Sequence, residues 1–191
     1  MVYNLPNILT ISRLGLAAVF FVLLAEKSWL ALPLVLLAGL TDILDGYLAR
    51  SRSQQTDFGR VADPVIDKIL ICGGFIMLLP YPLENVLQSW MVVVIVGREL
   101  AVTSLRGYAE SRGSQFGATF WGKSKMLLQF VTLVFLIAID YWPPGHSGWA
   151  TDDHARLAAE VLVWATVIVT FASGLVYLFE LPKFLAKKSD A

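Results

Sequence analysis

Apolar residues run along this chain in six long blocks that short polar breaks separate. The blocks cover roughly residues 8–25, 29–48, 62–83, 86–108, 123–142 and 157–180. They are too long for strands and lack the alternation of a half-buried strand. A helix that spans a bilayer needs about 20 residues, a length that several blocks reach only if polar residues at one end are counted. The pattern predicts an all-α, polytopic membrane protein with six transmembrane helices.

The breaks carry turn residues, as in AEKSW, LPYPLEN and DYWPPGHSGWATDDH. We find no linker, internal repeat or low-complexity segment, so residues 1–191 are predicted to form one domain. Near the start, NLPNILTISRL mixes polar residues with Leu and Ile, which is typical of a helix start, with Asn7 as a possible N-cap. The same mixture also fits a short N-terminal segment at the membrane interface, and both interpretations stay open.

Composition and charge narrow the class of protein. Hydrophobic residues make up 57% of the chain, against about 45–50% in soluble domains. The formal net charge is zero, which gives no electrostatic reason to expect nucleic-acid binding. The single cysteine, Cys72, excludes a disulfide within the chain. A protein surrounded by lipid fits these numbers best.

Basic residues are unevenly distributed between the two sides of the predicted bundle. The breaks after the odd-numbered blocks hold Lys27 and Arg156 alone. The opposite side holds Arg50, Arg52, Arg60, Arg112, Lys123, Lys125, Lys183, Lys187 and Lys188. The positive-inside rule places that richer side, with both termini, in the cytoplasm.

Four aspartates lie within apolar sequence, two near the end of the second block, Asp42 and Asp45, and two near the start of the third, Asp63 and Asp67. At about 100° per residue, Asp42 and Asp45 share one face of a helix with two small residues, Gly46 and Ala49. Gly59, Asp63 and Asp67 follow each other at intervals of four and form one stripe of the next helix. Two facing helices would thus offer two carboxylates each.

Four carboxylates that lie close together cannot all ionise unless cations neutralise them. Clustered oxygen ligands suit Mg²⁺ or Mn²⁺. Two such ions a few ångströms apart can clamp a phosphoryl group during its transfer. Arg50, one turn beyond Gly46, is placed to pair with phosphate oxygens. The spacing therefore predicts a two-metal phosphoryl-transfer site at the cytoplasmic face.

Two other interpretations of these acids stay open from the residues alone. The first is an interfacial salt-bridge network with Arg50, Arg52, Arg60 and Lys68. The second is a metal-ion or proton-coupled transporter, since acids inside a membrane often mark an ion pathway. Against a pathway, the acids cluster at one membrane face, and no second set continues across the membrane in the later blocks.

The pattern D-x2-D-G-x2-A-R-x8-G-x3-D-x3-D resembles the signature of the CDP-alcohol phosphatidyltransferase family without departure. It reads Asp42, Asp45, Gly46, Ala49, Arg50, Gly59, Asp63 and Asp67. The resemblance implies transfer of a phosphatidyl or related group from a CDP-linked donor to an alcohol, with release of CMP. It also implies that the four aspartates bind two ions and that Asp67 is the general base. The donor's cytidine diphosphate would contact Asn7, Thr10, Gly46, Arg50 and Thr56.

Three flanking segments, NLPNILTISRL, VGRELAVTSLRGYAESRG and WGKSKMLLQ, resemble bacterial members that transfer from CDP-diacylglycerol to sn-glycerol 3-phosphate. An acceptor that carries its own phosphate requires cations, and the candidates are Arg98, Arg106, Lys123 and Lys125. An inositol phosphate would need cations too, so another alcohol acceptor stays open from the charges alone. The resemblance also implies a homodimer in the bacterial inner membrane.

Overall fold

The computed structural model describes the backbone of residues 5–52, 68–80, 86–111, 120–141 and 153–186. Side chains are described over narrower ranges, within 12–41, 68–80, 86–109, 122, 124–141 and 153–179. These residues form six helices and no strand, which confirms the all-α prediction. The helices are α1 (Leu5–Ala25), α2 (Ala31–Arg52), α3 (Lys68–Met77, as far as it is described), α4 (Ser89–Ser111), α5 (Phe120–Tyr141) and α6 (Asp153–Ala186).

The turn between α1 and α2 reverses the chain through a residue in the left-handed region, Lys27, with a φ of 51°. The Ser28 amide donates to the Leu23 carbonyl at 2.8 Å, and the Lys27 amide donates to the Leu24 carbonyl at 3.0 Å. These two bonds satisfy carbonyls that the end of a helix leaves free, and they form a Schellman motif. Backbone hydrogen bonding thus ends α1 and allows α2 to pack back along it.

The end of α3 comes earlier than the apolar block predicts. The block continues to about residue 83, whereas the helix ends at Met77 and residues 78–80 form a turn. Pro80 accounts for the difference, because a proline disfavours the helical conformation of the residue before it. Leu78 and Leu79, which follow Met77 and are apolar, therefore lie in the turn and do not extend the helix.

Interhelical contacts fix the directions of the helices. The rings of Trp90 and Trp164 lie 5.6 Å apart near the starts of α4 and α6, and Arg106 contacts Tyr177 near their ends, so these helices run parallel. The hydroxyl of Tyr141, at the end of α5, donates to the carbonyl of Leu24, at the end of α1. Since α2 starts just after α1 ends, α2 and α5 run in opposite directions.

Close packing in the centre of the bundle depends on small residues. A Cβ atom at Gly39 of α2 would overlap the Phe130 ring of α5, and one at Gly73 of α3 would overlap the Phe21 ring of α1. Neither glycine could be replaced by alanine without movement of the neighbouring ring. Small residues serve the same purpose in membrane helix packing, where they let backbones approach.

The described helices carry large apolar side chains outward and polar ones inward. Val93, Leu127, Ile168 and Phe179 are exposed, whereas the buried polar set is Glu99, Lys125, Gln129, Thr132, Thr166, Thr170 and Ser173. Large apolar faces on a soluble monomer are rare and mark contact with a partner or a membrane. This distribution supports association with a membrane.

Two helices among the described residues are long and apolar enough to cross a membrane, over Ser124–Tyr141 of α5 and Asp153–Phe179 of α6. Helix α4 falls short because Arg98, Glu99 and Arg106 lie within it. The described side chains of α1, α2 and α3 cover only Ser12–Ala25, Ala31–Thr41 and Lys68–Met77, which are apolar but shorter than a span. Six spans therefore stay a prediction.

Candidate active site

The first half of the aspartate motif lies on one continuous helix. Asp42, Asp45, Gly46 and Arg50 all belong to α2, which runs unbroken to Arg52. Their relative angles around the helix are therefore those that the spacing predicts. Asn7 and Thr10 lie in the first two turns of α1, so the N-terminal segment is the beginning of that helix. Nothing beyond the backbone of these six residues is described.

The second half of the motif lies outside the described residues. This applies to Thr56, Asp63 and Asp67, whose roles as donor contact, metal ligands and base stay predictions. Among the side chains that are described, no three His, Cys, Asp or Glu residues come together as a metal site. The four aspartates are not part of that set, so the predicted metal site stays a prediction.

Helix directions bring the α2 motif and the predicted cations to one end of the bundle. Gly39 of α2 packs against Phe130 of α5, and the two helices run in opposite directions. The part of α2 beyond Gly39, which includes Asp42 and Asp45, therefore extends toward the start of α5. Lys123 and Lys125 lie in that first part of α5. Two candidate subsites that lie about 80 residues apart in sequence thus share one region of the fold.

A buried carboxylate, Glu99 of α4, organises the cations there. Its side chain is 1% exposed, and Oε2 accepts from Lys68 Nζ of α3 at 2.9 Å. Oε1 accepts from Lys125 Nζ of α5 and from Arg98 Nη1 of α4, the latter at 3.3 Å. Gln129 Nε2 of α5 also donates to Oε1, at 3.3 Å. We refer to Glu99, Lys68, Arg98 and Lys125 as the Glu99 cluster.

The Glu99 cluster carries more positive than negative charge. Three cations face one carboxylate, so these four side chains sum to a formal charge of +2. Lys125 is 2% exposed and the Arg98 side chain 9% exposed. Burying an unpaired charge is costly, and more so at membrane depth. An excess of cations in such a place is suited to receive an anion.

Hydrogen bonds between α5 and α6 connect the Glu99 cluster to α6. Gln129, which contacts Glu99, also donates through Nε2 to the Thr170 hydroxyl at 3.2 Å. One turn further along α5, a second hydrogen bond joins the hydroxyls of Thr132 and Thr166, whose oxygens lie 2.7 Å apart. These two bonds connect two successive turns of α5 to α6. All four side chains are buried. A fully bonded polar network of this kind restricts the rotamers of its members.

Arg106, one of the predicted acceptor residues, lies on α4 beyond Arg98. Its Nη2 donates to the Tyr177 hydroxyl of α6 at 2.8 Å. Both guanidiniums lie over the Tyr177 ring, with Cζ at 5.6 Å from its centroid for Arg98 and 5.7 Å for Arg106. Arg98 Nε, Arg98 Nη2 and Arg106 Nε are buried and have no hydrogen-bond partner in the described part of the chain.

Three of the four predicted acceptor residues are thus brought together, although the roles assigned to them are not tested by this arrangement. Arg98 and Lys125 meet at Glu99, and Arg98 and Arg106 meet at Tyr177. Lys123 lies in α5, but its side chain is outside the described set.

The sequence interpretation did not identify Gln129 or Tyr177 as part of this region. Lys68 was considered only as a member of a salt-bridge network. A usable signal existed for Glu99, because a carboxylate inside the apolar run VVVIVGRELAV is itself a functional-site indicator in a membrane helix. For Tyr177, the sequence offers no comparable signal.

Comparison with known proteins shows which family this sequence resembles along most of its length. Residues 3–172 match the family model for CDP-alcohol phosphatidyltransferase. A Bacillus subtilis protein named CDP-diacylglycerol--glycerol-3-phosphate 3-phosphatidyltransferase is 34% identical, over 92% of this chain and 93% of its own. Proteins of the same name from Haemophilus influenzae and Pseudomonas fluorescens are 31% and 34% identical. The former alignment covers 93% of both chains, and the latter covers 85% of this chain and 86% of the relative.

The match to the family model includes the motif on α2, α4 with Arg98, Glu99 and Arg106, and α5 with Lys125. It covers well over half of the chain, and the relatives align along nearly their whole length. The aspartate motif and the full-length similarity lead to one conclusion. The chain belongs to the CDP-alcohol phosphatidyltransferase family.

Proposed function

We propose that this protein transfers the phosphatidyl group of CDP-diacylglycerol to sn-glycerol 3-phosphate, which yields phosphatidylglycerophosphate and CMP. The activity would belong to phospholipid biosynthesis. The observation that carries the proposal is the group of three cations, Arg98, Arg106 and the buried Lys125, at the end of the bundle toward which the aspartate-bearing half of α2 extends. Cations in that place suit an acceptor with its own phosphate. The names of the relatives support the same substrates.

The donor side of the site is assigned to α1, α2 and the segment that follows α2. In this proposal Asn7, Thr10, Gly46, Arg50 and Thr56 contact the cytidine diphosphate. Gly46 has no side chain, so it leaves room for the nucleotide beside the helix. Arg50 supplies a planar fork of N–H donors that matches phosphate oxygens.

The metal ligands in this proposal are Asp42, Asp45, Asp63 and Asp67. The donor set fits Mg²⁺ or Mn²⁺, because it consists of carboxylate oxygens alone and two of them lie three residues apart on one helix. Two bound ions would supply charge neutralisation for the diphosphate and for the leaving CMP. The protein's own contribution is to hold the carboxylates at fixed spacing on rigid helices.

Asp67 is proposed to take the proton from the primary hydroxyl of the acceptor. The freed oxygen attacks the phosphorus of the phosphatidyl group and forms a new P–O bond. The bond from that phosphorus to the CMP oxygen breaks, and CMP leaves with the electron pair. A positioned carboxylate base typically contributes about 10²–10⁴-fold to such a step.

The acceptor's phosphate is assigned to the cations of α4 and α5, namely Arg98, Arg106, Lys123 and Lys125. Arginine and phosphate form charge-assisted hydrogen bonds that are stronger than neutral ones. Of the described members, Arg98 and Arg106 have buried N–H groups to offer. A serine or choline acceptor, which carries no phosphate, has no use for this charge.

The enzyme is further proposed to span the bacterial inner membrane six times and to act as a homodimer. The apolar exterior of the described helices supports the membrane location, and the Lys and Arg asymmetry supports a cytoplasmic active site. This placement lets a soluble acceptor and a lipid donor meet at one face. The lipid product can then leave sideways into the bilayer.

Cysteine labelling tests this topology. In a Cys72-free background, Ser53→Cys and Gln115→Cys are expected to react with a membrane-impermeant maleimide only after the cytoplasmic face is exposed. Gly148→Cys should react in intact cells, because the loop after α5 lies on the opposite side in a six-span protein. Labelling of positions 53 and 148 from the same side would contradict the six-span arrangement.

An acceptor screen with purified enzyme and labelled CDP-diacylglycerol tests the activity itself. We expect CMP release to depend on sn-glycerol 3-phosphate and to be negligible with glycerol, serine or an inositol phosphate. Turnover with an inositol phosphate in its place would assign the enzyme to another acceptor within the same family. If glycerol serves as well as glycerol 3-phosphate, the acceptor phosphate is not recognised and the assignment fails.

A further inference from the structure

Two arginines of the proposed acceptor site converge on a residue of α6 that the proposed function does not use. Arg98 and Arg106 are eight residues apart on α4, which separates their backbones by about 12 Å along the helix axis. Like charges repel, so nothing in α4 itself brings the two guanidiniums together. Both nevertheless lie within 5.7 Å of the centroid of the Tyr177 ring.

Tyr177 contacts each arginine in a way that fixes its position. The hydroxyl accepts from Arg106 Nη2 at 2.8 Å. Cation–π attraction operates within about 6 Å of a ring centroid and grows when water is excluded. The tyrosine is 7% exposed, so both contacts are largely shielded from solvent.

Helix α6 also shapes the path of Arg98. A Cβ atom at Gly174 would lie 3.0 Å from Arg98 Cγ and 3.7 Å from Nε, so the arginine stem runs close along the helix at that point. Gly174 and Tyr177 are three residues apart and lie on the same face of α6. Together with Glu99, which accepts from Arg98 Nη1 at 3.3 Å, this face leaves the guanidinium little freedom.

The N–H groups of the two arginines that make no hydrogen bond indicate which kind of ligand the pair could bind. Arg98 Nε and Nη2 and Arg106 Nε are buried and lack a hydrogen-bond partner among the described residues. A buried donor on a charged group is costly to leave unpaired. A phosphate presents several strong acceptor oxygens, to which such N–H groups can donate.

We propose that Tyr177 is a positioning residue for the acceptor, which holds the guanidiniums of Arg98 and Arg106 in place to receive the acceptor's phosphate. The inference rests on the proposed function. It goes beyond the family signature, since Tyr177 lies outside residues 3–172 that match the family.

The test compares Tyr177→Leu and Tyr177→Phe with a matched control, Tyr141→Phe. Tyr141 is 6% exposed and its hydroxyl donates to the Leu24 carbonyl, so the control removes a buried tyrosine hydroxyl at the opposite end of α5 from Lys125. We expect Tyr177→Leu to raise the KM for sn-glycerol 3-phosphate about tenfold, equivalent to about 1.4 kcal/mol. Tyr177→Phe keeps the ring and should give a smaller rise of about threefold. The kcat, the KM for CDP-diacylglycerol and the control's acceptor KM should stay near wild type.

A second measurement needs no turnover. Inorganic phosphate should raise the Tm of the detergent-purified wild type and of Tyr141→Phe, and should raise that of Tyr177→Leu much less. An unchanged acceptor KM together with unchanged phosphate stabilisation in Tyr177→Leu would overturn the inference. An equal loss of donor and acceptor affinity with a lower Tm would also overturn it, because Tyr177 would then be a general packing residue.

The two proposals fail in different ways. If the wild type releases no CMP with sn-glycerol 3-phosphate, the proposed function fails, whereas phosphate stabilisation still reports whether Tyr177 holds the arginine pair. If the wild type is active and both Tyr177→Leu and Tyr177→Phe behave like it, the proposed function stands and the role assigned to Tyr177 is wrong.

Discussion

Replacement of any one of Asp42, Asp45, Asp63 or Asp67 by Ala is expected to reduce turnover by orders of magnitude while the protein still inserts and folds. The physical reason is that each carboxylate is a proposed ligand of ions that neutralise the diphosphate, and a site with three carboxylates holds those ions less well. Asp67→Ala would in addition remove the proposed general base, which alone contributes about 10²–10⁴-fold to the rate. Release of labelled CMP, measured per folded enzyme, gives the loss.

Asp57 provides the matched control for this series. It lies between the two halves of the motif but occupies none of the fixed positions. Asp57→Ala therefore removes the same charge from the same segment and should keep near-normal turnover. Treatment with EDTA should abolish the wild-type activity, and added Mg²⁺ or Mn²⁺ should restore it. Near-normal turnover in a well-folded variant of one of the four aspartates would remove that residue from the site.

Neutralising the acceptor cations is expected to affect one substrate and spare the other. Hydrogen bonds to charged groups contribute about 1.5–3 kcal/mol each. Arg106→Ala should therefore lower kcat/KM for sn-glycerol 3-phosphate by roughly 10- to 150-fold, at about 1.4 kcal/mol per decade. The KM for CDP-diacylglycerol should change little, because the proposal assigns the donor to α1, α2 and the aspartates. Separate titration of the two substrates measures both effects.

Lys125→Ala should behave differently from Arg106→Ala because of Glu99. Lys125 is buried against that carboxylate, so its removal takes away one of the charges that stabilise Glu99 in the interior. Breaking a buried ion pair costs about 3–5 kcal/mol in soluble proteins. We expect a lower Tm in addition to weaker use of the acceptor. Arg106→Ala is the cleaner test, since its described hydrogen bond is to the neutral Tyr177 hydroxyl.

Arg156→Ala is the control for the cation series. Arg156 lies in the first turn of α6, is half exposed, and faces Glu160 at 3.6 Å. An exposed pair of this kind contributes little to stability. Its loss should leave both substrate constants unchanged. If Arg106→Ala weakens donor and acceptor to the same extent, the cations have a structural role and the assignment of the acceptor phosphate is wrong.

The helices of the bundle could be predicted from the sequence to within a few residues at most ends. Blocks 86–108 and 123–142 correspond to α4 at Ser89–Ser111 and α5 at Phe120–Tyr141. This succeeds because a long apolar run can satisfy its backbone groups only as a helix when water is absent. The end of α3 at Met77 was predicted too late, since Pro80 has a local effect that the apolar count does not register.

The sequence by itself also determined the local geometry of the aspartate motif. Residues on one helix have angles that follow from their spacing, so Asp42, Asp45 and Gly46 could be assigned to one face of α2 without coordinates. What these residues bind stays a prediction. The spacing carries chemical information because the helix is rigid and its period is constant.

Only the tertiary structure decided which helices meet and which side chains face each other. Glu99 contacts Lys68 and Lys125, which lie 31 and 26 positions away, and Arg106 contacts Tyr177 at a separation of 71. Such contacts depend on the rotation and crossing of each helix, which packing sets through residues such as Gly39 and Gly174. Spacing along the chain has no bearing on these rotations. The partners of the cations therefore emerged from the fold, whereas the cations themselves could be named from the sequence.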